Sequence, residues 1–141
     1  MDWYWIEGGE MSMKKQYYTL KEALSIARDI DPRIPKTKSI PRWRVSRCIP
    51  GPVTYSYDGG RIGLYTEELV IALLVTAKLN KDRGFSIYEI AQAYATFRNI
   101  GMGPMTIEMS TDRAYEAFMA YKQVREEVEA TLRERGLVYD G

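Results

Sequence analysis

The 141-residue chain has the length of one domain with a sizeable core, and its 45% hydrophobic and 28% charged residues argue against wholesale disorder. With Cys48 as its one cysteine and no histidine, it cannot form an intrachain disulfide, a Cys/His zinc site or a histidine-based catalytic triad. The net charge of +1 hides an asymmetry: Lys14 to Arg61 holds eleven Lys/Arg against four Asp/Glu, a net +7, and the stretch on either side is net −3.

Residues 1–16 hold Trp3, Tyr4 and Trp5 and then Gly8-Gly9, with no sustained period. They read as an amino-terminal arm, and fraying or packing back onto the body fits it equally. Met11 and Met13 are alternative starts. Tyr17 to Ile30 reads as the first helix. Thr19 with Glu22 makes a capping box, Leu20, Ala23, Leu24 and Ala27 share one face, and Asp31-Pro32 ends it.

Residues 33–50 are divided by Pro35 and Pro41 and closed by Pro50 and Pro52, so any helix there is short. Pro41 fits its first turn, where the missing N–H is harmless, and Ser39 fits the N-cap. A helix of about Ile40 to Cys48 then carries Arg42, Arg44 and Arg47, with Trp43 as a core anchor and Cys48 as a small buried residue. Five cations and no anion lie between Lys36 and Arg47. Such a field attracts phosphate, and an arginine fork suits guanine edges. On charge alone a solvated basic face fits as well.

Val53, Tyr55 and Tyr57 alternate with Thr54 and Ser56, the two-residue period of a half-buried strand. Asp58-Gly59-Gly60 supplies the hairpin turn, and Ile62 to Tyr65 the return strand. Thr66 to Arg83 is a helix capped by Thr66, acidic at its start, basic at its end and apolar nearly all round, so it is expected to be the most buried element. Its longest apolar run, Leu69 to Val75, is too short to span a bilayer, and no amino-terminal segment joins a basic start to an apolar stretch. The expected location is the cytoplasm, at the nucleoid, without a membrane partner.

Ser86 with Glu89 opens the next helix, which runs to about Asn99 with Ile87, Ile90, Ala91, Tyr94 and Phe97 inward. Gly101 to Pro104 breaks the chain, and residues 102–109 read as a connector. Ser110 to Arg135 is the last helix. Ala114, Ala117, Tyr121, Val124 and Val128 alternate spacings of three and four like a coiled-coil seam, which Phe118 and Leu132 widen. An amphipathic helix on its own core would show the same pattern, but the length favours a dimer.

The order of elements resembles the MerR family of transcriptional regulators. Gly60-Arg61 with Leu64-Tyr65-Thr66-Glu67-Glu68-Leu69 matches the wing-to-helix junction, Gly84-Phe85-Ser86-Ile87-Tyr88-Glu89-Ile90 the next capping box, and Ser39-Ile40 with Arg42-Trp43 the recognition-helix signature. The resemblance covers about residues 19–100. It implies a mainly α fold with a small β-hairpin wing: a winged helix-turn-helix over residues 17–101, a dimerisation helix over 110–136 and a tail over 137–141.

The implied function is that of a homodimeric, sequence-specific regulator of transcription that binds double-stranded DNA. The expected contacts come from Lys36, Lys38, Ser39, Arg42, Arg44 and Arg47 and, on the wing, Tyr57 and Arg61. The dimer seam is expected at Ala114, Ala117, Phe118, Tyr121, Val124, Val128 and Leu132. No cofactor, metal or catalytic residue is expected, and the residues name no small-molecule effector. Two other readings stay open: a protein-interaction module on a winged-helix body, and a phage or mobile-element DNA-binding protein of the excisionase or terminase-small-subunit type. An enzyme is not expected, because no nucleophile has a base beside it and Gly101 to Pro104 lacks the setting of a phosphate loop.

Overall fold

The computed structural model describes residues 17–36, 40–98 and 111–137. A two-residue strand, β1 (Tyr18–Thr19), leads into α1 (Leu20–Ile30). The Thr19 hydroxyl accepts from the Glu22 N–H at 3.1 Å while the Glu22 carboxylate accepts from the Thr19 N–H at 2.9 Å. The capping box is therefore as expected, but the helix starts at Leu20. Tyr18 and Thr19 instead pair with Tyr65 and Leu64.

Helix α2 (Ile40–Val45) is followed by β2 (Thr54–Ser56) and β3 (Ile62–Tyr65). These strands and β1 form an antiparallel sheet in the order β1-β3-β2, with Thr54 opposite Leu64 and Ser56 opposite Ile62. Helices α3 (Glu67–Lys81), α4 (Ile87–Arg98) and α5 (Thr111–Glu134) complete a mainly helical fold. Among the described residues no helix is long and apolar enough to cross a membrane.

The core is built on α3, in which every residue from Leu69 to Ala77 is buried. Thr66 caps it by accepting from the Glu68 N–H at 3.4 Å, and α1, α4 and α5 pack against it. Ser86 and Glu89 close the capping box of α4 at 2.8 and 3.1 Å.

Three expectations are corrected. Val53, Tyr55 and Tyr57 are all exposed, because among the described residues nothing buries that side of β2 and the alternation marks no buried face. Phe97 is 37% exposed. Its ring caps a charge cluster instead of entering the core, with the Arg125 guanidinium 4.6 Å from its centroid and the Tyr121 ring at 5.6 Å. The apolar seam of α5 is used inside the chain. Ala117, Tyr121, Val124, Val128 and Leu132 are buried in the same core as α3 and α4, so in this packing they do not face a second copy. Ala114 and Phe118 stay partly exposed.

The chain between α1 and α2 is tied down by charge. Arg33 binds both Asp31 oxygens at 2.9 Å and also pairs with Asp82 just beyond α3, while the Arg28 guanidinium donates to the Ile34 carbonyl. The Arg33 guanidinium holds the Asp31 carboxyl below its usual range, as Arg113 does for Glu89. A carboxyl depressed on folding contributes stability that is complete above the unfolded-state value, by about pH 5, and that disappears as pH falls through the lower folded-state value. We expect Asp31→Asn to cost about 1 kcal/mol near neutrality and to flatten the acid loss of stability. Urea titrations at a series of pH values down to about 3 test this, and an unchanged acid slope contradicts it.

Candidate nucleic-acid interface

Helix α2 is rooted by two residues and ends in a tight turn. Ile40 and Trp43 are buried, which leaves Pro41, Arg42, Arg44 and Val45 exposed. At its end the Cys48 N–H donates to the Trp43 carbonyl at 3.1 Å and the Arg47 N–H to the Arg44 carbonyl at 3.0 Å. This pair of bonds is the Schellman ending of a helix, whose turning residue takes the left-handed conformation and is usually glycine. Here that residue is Arg47, the one non-glycine with positive φ among the described residues, at 64°.

Cys48 fixes this ending to the core. Its thiol donates to the Trp43 carbonyl at 3.3 Å, and its own carbonyl accepts from the Thr76 hydroxyl of α3 at 3.4 Å. Burial pushes the thiol pKa up to about 12, so its environment disfavours the nucleophilic thiolate. The expectation of a small buried residue holds.

The hairpin carries the second exposed group. Gly59 and Gly60 turn it at φ 76° and 131°, values that side chains beyond glycine rarely adopt. Tyr57, beside the turn, is 72% exposed. Arg61 is exposed too, and its guanidinium lies 4.1 Å from the centroid of the Tyr55 ring. Tyr55 and Arg61 sit on one side of the pleat, so the guanidinium meets the face of the ring in a cation–π contact. Sequence reasoning overlooked Tyr55 in this role, although the DG turn between Tyr55 and Arg61 was a usable signal.

Of the expected contact residues, Lys36, Arg42, Arg44, Arg47, Tyr57 and Arg61 are all exposed, while Lys38 and Ser39 lie outside the described residues. Arg42, Arg44 and Arg47 share α2 and its terminal turn. Tyr57 and Arg61 form a separate group near the hairpin turn. A cleft of about 400 Å³ beside α2, lined by Pro41, Arg44, Val45, Ile49 and Gly51, connects the helix with the start of the segment leading to β2.

Exposed arginines without a carboxylate partner are concentrated in this region, although Arg28 and Arg83 of the helical body also meet carbonyl or amide groups and no carboxylate. Arg33, Arg98, Arg113, Arg125, Arg133 and Arg135 all pair with carboxylates. Lys36, Arg42, Arg44 and Arg61 make no ion pair among the described residues. No group of three or more Cys, Asp or Glu side chains is placed to hold a metal ion among the described residues. No family model, curated protein or solved structure matches the chain.

The left-handed Arg47 generates a prediction. A side chain in that conformation costs about 1–2 kcal/mol, partly offset because glycine adds freedom to the unfolded chain. We expect Arg47→Gly to stabilise the fold by about 0.5–1 kcal/mol, read as a higher urea midpoint. A lower midpoint shows that the arginine side chain stabilises the turn by more than its conformation costs.

Proposed function

We propose that the chain is a sequence-specific regulator of transcription that binds double-stranded DNA through a winged helix-turn-helix, as its MerR-like motifs imply. In this reading α1 and α2 are the helix-turn-helix, α2 is the recognition helix, and β2 and β3 with their glycine turn are the wing. The observation that carries it is the group of exposed arginines without carboxylate partners on α2 and the hairpin, Arg42, Arg44 and Arg61, where six of the eight described arginines outside α2, its terminal turn and the hairpin are matched with carboxylates.

An exposed arginine without a carboxylate is free to take another anion, and the guanidinium fork fits both phosphate oxygens and the guanine edge in the major groove. Six helical residues span roughly 9 Å at about 1.5 Å per residue, which suits insertion into a groove about 12 Å wide. In this reading the wing arginine, stacked on Tyr55, contacts backbone or minor groove beside it.

The homodimer of this reading uses what α5 leaves uncovered. Tyr115 and Met119 are exposed, and Ala114 and Phe118 border a groove between α4 and α5. This short apolar stripe replaces the longer seam expected from the sequence.

Two measurements test the proposal. The triple variant Arg42→Ala/Arg44→Ala/Arg61→Ala is expected to lose tenfold or more in affinity for duplex DNA, on the order of 1–3 kcal/mol for each arginine that reads a guanine. The slope of log affinity against log salt should also fall by about one for each phosphate that the variant no longer neutralises, with thermal melting unchanged because all three side chains are exposed. Undiminished affinity at moderate salt sinks the proposal. For the dimer, Tyr115→Ser/Met119→Ser should shift sedimentation from dimer to monomer without unfolding the chain. A variant that still sediments as a dimer rules out this face.

A further inference from the structure

The outermost point of α2 is apolar. Val45 is 73% exposed, more than any other large hydrophobic side chain described. It follows the buried Trp43 by two residues, about 200° around a helix of 3.6 residues per turn, and so stands almost opposite the side rooted in the core. Pro41, one turn earlier, lies on the same side. Arg42 and Arg44 flank this ridge, and the cleft bounded by Pro41, Arg44, Val45, Ile49 and Gly51 adjoins it.

Local folding does not favour this arrangement. Valine is an indifferent helix former with a stiff side chain, and its methyl groups here meet water instead of protein. A single exposed apolar residue is ordinary on a protein surface. One at the crest of a short helix, between two arginines that have no carboxylate partners, has a more specific use.

We infer that Val45 reads the C5-methyl group of a thymine, with Pro41 widening the apolar contact. The inference rests on the DNA-binding proposal and deepens it by naming a base. The thymine methyl is the apolar group that base pairs display in the major groove, and the flanking arginine forks favour the O6 and N7 of guanine. The preferred sequence therefore places a thymine beside a guanine, with the methyl seated on the Val45 side chain. Neither arginine supplies this discrimination, because neither presents an apolar surface at the crest.

The test begins by selecting duplexes bound by the full chain from a random pool. The enriched sequence is then remade with deoxyuridine replacing each thymine in turn, which keeps base pairing and removes only the methyl. Wild type is expected to lose about fourfold in affinity at one thymine, the worth of one buried methyl group. Val45→Ala should bind the thymine and uracil duplexes within twofold of each other, with unchanged thermal melting. Arg42→Ala should bind both more weakly and keep the fourfold gap. Absence of a uracil penalty at every position, or a full penalty retained by Val45→Ala, overturns the inference and leaves the DNA-binding proposal standing. If no sequence is enriched, that proposal fails and this inference with it.

Discussion

A helix that is apolar on every side has to be covered on every side. That requirement, set by Leu69 to Ala77 of α3, organises the other elements. α1, α4 and α5 each present an apolar face to it, and at about 25 cal/mol per Å² of apolar surface removed from water this packing is the main source of stability. The same requirement reassigns α5. A seam of Ala117, Tyr121, Val124 and Val128 suits a partner helix equally well, but α3 is nearer along the chain and otherwise lacks a cover.

The demand of α3 extends to polar groups. Thr76 lies within its buried stretch, and a buried hydroxyl without a partner is costly. Its bond to the Cys48 carbonyl meets that need and pins the end of α2 to the core. At the start of α3, Glu68 meets Arg125 at 2.5 and 2.8 Å, with the Tyr94 hydroxyl donating at 3.0 Å and Arg98 at 3.2 Å. Arg125 is only 8% exposed, and taking such a pair out of water costs several kcal/mol per ion unless further bonds complete it. The additional partners, with Glu129 on the other edge of the guanidinium, supply that completion. The consequence is geometric: α5 is fastened to the point where β3 becomes α3.

Sequence reading succeeded where the cause was local. The capping boxes Thr19/Glu22 and Ser86/Glu89, the Thr66 cap, Pro41 in a first turn and the buried Trp43 all follow from short-range chemistry, and so does the glycine turn. It failed where the outcome depended on what lies across space. The alternation of Val53, Tyr55 and Tyr57 has the right period for a half-buried strand, yet among the described residues nothing buries that side. Phe97 has the spacing of a core residue and ends up over a charge cluster. The Asp31, Arg33 and Asp82 cluster joins residues far apart in sequence, which no local pattern announces. At the candidate site the basic residues were legible from their density. The pairing of Tyr55 with Arg61 and the outward position of Val45 required the folded backbone.

Over much of the described chain local preferences and the fold agree: caps hold polar residues, six arginines meet carboxylates and the long apolar run of α3 is buried. Between Arg42 and Arg47 they diverge in three independent ways. Two arginines lack carboxylate partners, a valine is turned to water, and an arginine occupies a left-handed position suited to glycine. The exposed valine and the left-handed arginine each carry a small cost, and the packing of Ile40 and Trp43 calls for neither. Departures from local preference concentrate where a surface is shaped for something other than its own stability. Three within six residues, on α2 and the turn that ends it, mark this stretch out among the described residues.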